Sequence, residues 1–302
     1  MDKHAIVIVT FNRLALLQGC LEAVWNQTHP YDLVVIVDNA STDGTKEYLQ
    51  QFCDRSGTLI RREKKNRGGA GGFEAGLRAA YAAGADWFTL IDDDAFLRPD
   101  FLKEICRAIG EYGQEYDCFS GVPLTEGIRI GHRRRVSGHL IKREVPVPET
   151  EYEKPFFLCD IASFCGMVVS KRAVSRIGFP EGRYFLWYDD TEYSLRISKE
   201  SPIMNWNKAV IDHRAPMESG SYVAGWKEYY GIRNRICMAK KHYGFLTVVR
   251  IVVRKAAKCF LTVLKLLASG KWTDAGKVMV LYRDGIIDGW CGKLGRHPVH
   301  RP

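Results

Sequence analysis

Short β-branched runs alternate here with helix-periodic segments, each run stopping in polar or acidic residues, and this leaves few folds open to the chain. His4-Ala5-Ile6-Val7-Ile8-Val9 breaks at Thr10-Phe11-Asn12-Arg13, after which Leu14, Leu17, Leu21 and Val24 recur at helical spacing. Leu33-Val34-Val35-Ile36-Val37 ends in Asp38-Asn39-Ala40-Ser41-Thr42-Asp43-Gly44-Thr45, and a helix-like stretch follows from Lys46 to Phe52. Strand, helix, strand, helix predicts an α/β domain with a doubly wound, mostly parallel sheet. The near-continuous apolar strands agree, because parallel strands are buried on both faces.

A third run, Phe88-Thr89-Leu90-Ile91, stops in Asp92-Asp93-Asp94. Carboxylates at a strand's C-terminal edge stand where open α/β sheets bind ligands, and their oxygens suit a hard divalent cation. A solvated strand end is the alternative. Between these strands, Asn66-Arg67-Gly68-Gly69-Ala70-Gly71-Gly72-Phe73 precedes an Ala-rich helix expected from Glu74 to Ala83. Such glycines let backbone approach a ligand, and N–H groups at a helix start favour an anion, although the spacing is not G-x-G-x-x-G.

As a set these blocks resemble family 2 glycosyltransferases, nucleotide-sugar enzymes of GT-A fold. The resemblance rests on Thr10 to Arg13, Val37 to Thr45, Asn66 to Phe73, Asp92-Asp93-Asp94, and Phe185-Leu186-Trp187-Tyr188-Asp189-Asp190-Thr191-Glu192-Tyr193-Ser194-Leu195-Arg196, and it spans residues 4 to about 235. Within the family, the Asn66 to Phe73 block and Tyr229-Tyr230-Gly231-Ile232-Arg233-Asn234 look most like bacterial galactofuranosyl- and rhamnosyltransferases of cell-surface polysaccharide synthesis. That likeness implies a UDP-galactofuranose donor, with dTDP-rhamnose second, and a lipid-linked glycan or polysaccharide acceptor.

The resemblance also implies roles for individual residues. Asp92 and Asp94, with His213 from Val210-Ile211-Asp212-His213-Arg214, would hold Mn2+ or Mg2+; imidazole suits Mn2+. Thr10, Asn12, Arg13, Asp38, Asn66, Gly69, Asp92 and Asp93 would contact the nucleotide sugar. Asp189 and Asp190 occupy the acceptor-activating position, where one carboxylate takes the hydroxyl proton, and Asp190 is the first choice. Many relatives carry Glu-Asp there, so Asp-Asp leaves the base open by one residue. Either aspartate is equally able to cap the helix that follows. The neighbouring aromatics Tyr184, Phe185, Trp187 and Tyr188 fit sugar stacking and core packing equally well.

Charge separates the chain into two parts. From Gly244 to Pro302 there are eleven Lys or Arg against three Asp, a balance of +8 out of +9 for all 302 residues. The expected division is therefore a GT-A catalytic domain over 1–225 and a basic, mostly helical region over 226–302. Between Phe245 and Leu267, Arg250, Arg254, Lys258 and Lys265 interrupt an apolar pattern, which disfavours a spanning helix and fits an interfacial one on an anionic membrane. Domain packing or a homo-oligomer contact is the alternative, and nucleic acid is not expected. Nine scattered cysteines without a C-x-x-C pair, and no secretory pattern over residues 1–12, give the expectation of a cytoplasmic protein peripheral to the inner face of the cell membrane. The Arg-, Gly- and Pro-containing segment from Glu126 to Lys154 reads as a long mobile loop bordering the acceptor cleft. Rival classes are a nucleotidyltransferase, which usually has a Gly-rich triphosphate signature where Thr10 to Arg13 stands, and a non-catalytic membrane-associated scaffold. The filled acidic positions oppose the scaffold.

Overall fold

The computed structural model describes residues 2–129, 131–214 and 225–301. Its twelve described strands are β1 (His4–Thr10), β2 (Leu33–Asp38), β3 (Thr58–Arg62), β4 (Trp87–Asp92), β5 (Ala95–Leu97), β6 (Cys118–Leu124), β7 (Arg133–Ser137), β8 (Arg143–Pro146), β9 (Phe156–Cys159), β10 (Ile161–Ala162), β11 (Met167–Ser170) and β12 (Ile203–His213). The described helices are α1 (Leu14–Trp25), α2 (Thr45–Gln50), α3 (Gly68–Ala82), α4 (Phe101–Tyr112), α5 (Lys171–Ile177), α6 (Asp189–Ser198), α7 (Trp226–His242), α8 (Phe245–Ala268) and α9 (Trp272–Cys291).

The central sheet runs β3-β2-β1-β4-β11-β6-β12-β5, with β9 also paired to β12. β3, β2, β1 and β4 are mutually parallel, as the sequence predicts. Beyond them β11 runs antiparallel to both β4 and β6, and β12 is parallel to β6. Side chains alternate between two cores. Ala5, Val7 and Val9 meet Phe73 and Leu77 of α3 on one face, while Ile6 and Ile8 meet Leu17 and Leu21 of α1 on the other.

The glycines of the Asn66 to Phe73 block lie inside α3, which begins at Gly68 rather than after Phe73. Glycine is a poor helix former, so packing decides here. A Cβ on Gly72 would meet the Val9 side chain at 2.5 Å, and one on Gly76 would meet that of Val7 at 2.3 Å. Close approach of α3 to the sheet accounts for these positions.

The segment from Glu126 to Lys154 departs from the expected loop. β7 and β8 form a hairpin that joins β10 in a three-stranded antiparallel sheet. Its anchor is Arg133, fully buried, which donates to the carbonyls of Gly121, Cys165 and His132 and to Asn205 Oδ1. Burial lowers the pKa of that guanidinium. A buried cation held by several acceptors is stiff, because each lost bond leaves a desolvated donor.

The helices after residue 225 are packed against the preceding part of the chain by a third core, in which Tyr184, Phe185 and Leu195 meet Tyr229, Tyr230, Ile232 and Tyr282. A buried ion cluster adds to this join. Glu192 of α6 accepts from Lys241 at 2.6 Å and His242 at 3.1 Å on α7, and from Arg196. Burial alone would raise the Glu192 pKa, but the His242 hydrogen bond, Arg196 and Lys241 outweigh it and bring it to about 2. No described helix is long and apolar enough to cross a membrane.

Candidate active site

Parallel register brings the strand ends together: Thr10 is level with Asp38, and Val9 with Asp92. Past these ends opens a cavity of about 590 Å³. Of the residues predicted from sequence, Arg13, Gly69, Asp92 and Asp94 line it from one side, and Asp189, Asp190 and His213 from the others. Residues more than a hundred positions apart thus border one cavity.

Asp94 and His213 face each other. The Asp94 Oδ1 is buried and without a hydrogen-bond partner among the described residues, and it lies 3.5 Å from His213 Nε2. The opposite ring nitrogen of His213 is 3.0 Å from Thr125 Oγ1, which fixes the imidazole plane. Burial lowers the His213 pKa, so the ring is available in its neutral, ligating form. An orphaned carboxylate oxygen beside an oriented neutral imidazole fits a divalent cation such as Mn2+. Asp92 shares the cavity but stands apart: Asp92, Asp94 and His213 do not place ligand atoms within 4.8 Å of one another.

Burial, then Asp94, Asp93 and Asp189, hold the Asp92 carboxyl well above the usual carboxylate range. Asp93 is pushed up to about 6, chiefly by burial. Crowded acids of this kind favour bound positive charge. Arg13 supplies some, donating to Asp94 Oδ2 at 2.7 Å and Asp93 Oδ1 at 3.2 Å.

The remaining predicted contacts have partners within the protein and are absent from the residues lining the cavity. Asp93 accepts from Thr10 Oγ1 at 2.6 Å, so this pair braces the turn after β4. Asp38 is fully buried, with Oδ1 accepting from the Ser41 N–H at 2.8 Å and Oδ2 paired with Arg62. Asn12, at φ 52°, accepts from the Thr42 N–H, and Asn66 accepts from the Gly68 N–H at 2.7 Å. Of the α3 glycines, Gly69 borders the cavity with no atom within 4 Å of a built Cβ.

The cap position of α6 is Tyr188, at φ 66°, rather than Asp189 or Asp190; both acids lie in the first turn, where Asp190 still accepts a free N–H. Asp190 Oδ1 accepts from the N–H and hydroxyl of Thr191, and Arg134 in turn donates to that hydroxyl at 2.9 Å. Burial and the neighbouring Asp190 push Asp189 up to about 7. The aromatic run divides: Tyr184 and Phe185 join the core, while Trp187, 44% exposed, lines the cavity with Tyr188.

Phe185, Trp187 and Tyr188 all have positive φ, at 68°, 63° and 66°. Each such residue costs about 1–3 kcal/mol unless its surroundings enforce it. Enforcement comes from α7. The buried Asn234 amide donates to the carbonyls of Tyr184, Leu186 and Trp187 at 2.9, 2.6 and 3.0 Å, and Arg233 donates to Tyr184 O and Asn234 Oδ1. Asn234→Ala would leave the carbonyls of Leu186 and Trp187 without donors and the Arg233 Nε–H without its acceptor, at about 1–3 kcal/mol each, while Tyr184 O keeps Arg233. Its unfolding free energy in urea is expected to fall by about 3 kcal/mol or more, and its turnover by at least about tenfold at a temperature where it remains folded. Unchanged turnover in the folded variant would show that the loop keeps its shape unaided.

Sequence reasoning missed His132 and Arg134, which line the cavity from either side of the buried Arg133. His132 bonds Ser163 Oγ at 2.9 Å, packs edge-on to His213, and is brought down to about 3 mainly by burial. Arginine runs carry no strand signal, so only the alternation about Arg133 could have marked them. A second cluster, Asp284, His297 and His300, lies outside the residues lining this cavity. There His300 bonds Asp284 at 3.0 Å and His297 accepts backbone N–H groups, tying the C-terminal segment to α9.

Comparison with known proteins bears on this arrangement. Galactofuranosyltransferase GlfT1 of Mycolicibacterium smegmatis is 41% identical over 197 residues, 63% of this chain and 64% of that protein. GlfT1 of Mycobacterium tuberculosis strain H37Rv is 27% identical over 195 residues, 63% of each. The chain therefore aligns with slightly less than two thirds of these relatives' length. Among solved structures, S. aureus TarS 1–349 in complex with UDP-GlcNAc superposes with a TM-score of 0.57 at 15% identity, covering 95% of this chain and 89% of that one. GalNAc-T7 with UDP, GalNAc and Mn2+ gives 0.62 at 14% identity, covering 80% and 48%. These likenesses carry the fold, the GT-A arrangement of a sheet flanked by helices. The sequence model described as Glycosyl transferase family 2 matches residues 5–178, more than half of the protein, and the chain belongs to that family.

Proposed function

We propose that this chain is an inverting, metal-dependent glycosyltransferase that moves galactofuranose from UDP-galactofuranose to a hydroxyl of a lipid-linked or polysaccharide acceptor. The observation that carries the reading is that the Asp94–His213 pair lines one cavity together with Asp189 and Asp190. Asp94 and His213 would hold Mn2+ or Mg2+, with Asp92 on the same wall. A divalent cation bound there would stabilise negative charge on the departing nucleoside diphosphate.

Asp190 is the base. Thr191 holds its Oδ1, and its other oxygen accepts the acceptor's hydroxyl proton. The acceptor oxygen then bonds to the anomeric carbon from the face opposite the diphosphate, and the bond from that carbon to the diphosphate oxygen breaks with its electron pair leaving on UDP. Arg13 orients the diphosphate, and Trp187 offers a ring face to a sugar. The donor choice is supported by the relatives named galactofuranosyltransferase.

Location at the inner membrane face is part of the same reading. Its support is an exposed apolar strip on α8, with Phe245, Phe260 and Leu261 each more than 60% exposed, bordered by Arg250, Arg254 and Lys258. The protein incubated with Mn2+, a panel of lipid-linked glycan acceptors and UDP-galactofuranose is expected to release UDP and form a product of inverted anomeric configuration by NMR. Turnover with dTDP-rhamnose alone would replace the donor, and inactivity with every nucleotide sugar would overturn the reading.

A further inference from the structure

The four-residue spacing of Arg250, Arg254 and Lys258 on α8 marks more than a flat basic edge. With Lys142 and Arg143 beside β8, and Arg235 on α7, these residues enclose a second cavity of about 570 Å³. Lys255 lines both this cavity and the catalytic one. The two spaces therefore meet at one side chain.

The charge inside is strongly one-sided. The acid on its wall, Glu144, is taken up by Arg134 and by the Tyr243 hydroxyl at 3.2 Å. Among the described residues, Lys142, Arg143, Arg235, Arg250 and Arg254 form no ion pair, and Arg235 Nε is buried without a hydrogen-bond partner. Loss of water contact, then Arg143, Arg254 and Arg235, lower the Arg250 pKa, an effect that an anion in the cavity would reverse. Guanidinium forks converging on a concave space match the oxygens of a phosphate group.

The position selects which phosphate. In the reading above the donor's diphosphate belongs with Asp94, His213 and Arg13, none of which lines the basic cavity. On α8 the cations run along the edge of the exposed strip that carries Val249, Val253, Phe260 and Leu264. A ligand with a sugar at Asp190, a diphosphate in the basic cavity and a lipid along that strip matches all three surfaces.

We propose that the cavity formed by Arg235, Arg250, Arg254 and Lys142–Arg143 binds the diphosphate group of a lipid-linked acceptor. This rests on the glycosyltransferase reading above, and its test separates the two. The probe is inorganic pyrophosphate, titrated calorimetrically into the full-length protein at low salt. The double variant Arg250→Gln, Arg254→Gln is expected to weaken binding by at least about tenfold, as loss of two charge-assisted contacts requires. The titration is run in excess chelator, where the acid-lined donor side has no cation to hold a diphosphate, and Arg13→Gln is then expected to leave the binding unchanged. In transfer assays the double variant should lose kcat/KM by a similar factor with a diphosphate-bearing glycan, and keep wild-type kcat/KM with the neutral glycoside of the same sugar.

Pyrophosphate affinity that is unchanged in the double variant, while binding to phosphatidylglycerol vesicles falls tenfold, would overturn the proposal and assign these charges to the bilayer surface. Affinity lost in Arg13→Gln and retained in the double variant would overturn it as well. Pyrophosphate binding that follows Arg250 and Arg254 in a protein inactive with every nucleotide sugar would uphold the anion site and sink the transferase reading alone.

Discussion

Asp94→Ala is expected to abolish sugar transfer at ordinary metal concentrations, a loss of at least about a thousandfold in turnover. The carboxylate is one of two facing groups available to a cation, and its Oδ1 has no other described partner. Removing it deletes a ligand and a negative charge together. The several kcal/mol that a metal contributes to charge stabilisation at the leaving group correspond to about three decades, at 1.36 kcal/mol each. Asp94→Asn should fall almost as far, because the amide keeps the shape and the Arg13 contact distance but not the charge. His213→Ala should weaken Mn2+ binding measured by calorimetric titration of the metal into the protein. Wild-type turnover by Asp94→Ala in excess chelator would remove the metal from the mechanism.

Asp190→Asn is the second large effect, with turnover lower by roughly 10²–10⁴ and donor binding retained. The amide still accepts the Thr191 hydrogen bonds but cannot take the acceptor's proton. Asp189 is the nearest competitor. Burial and Asp190 raise its carboxyl to about 7, so at neutral pH it holds a proton much of the time, while Asp190 is partly open to the cavity. Turnover and UDP affinity measured on both Asn variants decide between them. Near-normal turnover in Asp190→Asn, with the deep loss in Asp189→Asn, would move the base by one residue.

Much of the strand-end side of the cavity was legible in the chain. Parallel strands are buried on both faces, so β1, β2 and β4 appear as unbroken apolar runs, and the points where they stop are the points where ligands bind. That is why Asp92, Asp94 and the start of α1 could be placed by inspection. Roles for Asp38, Thr10 and Asn66 followed only from family likeness, and in the fold these residues bond to protein groups. The side lined by His132 and Arg134 was harder to read. Arg133 fell in a segment expected to be a mobile loop, whereas burial against carbonyls makes it the anchor of a hairpin that carries His132 and Arg134 to the cavity.

The sequence by itself determined the alternating architecture, the acidic strand ends and the concentration of positive charge after residue 243, because hydrophobic periodicity and composition act locally along the chain. Only the tertiary structure decided that Asn234 restrains a strained loop almost fifty residues earlier, that the α3 glycines serve close packing, and that a basic helical stripe closes into a cavity with Lys142, Arg143 and Arg235. Those outcomes depend on which backbone groups are desolvated together and which charges converge, and such pairings between distant segments leave no period in the chain to read.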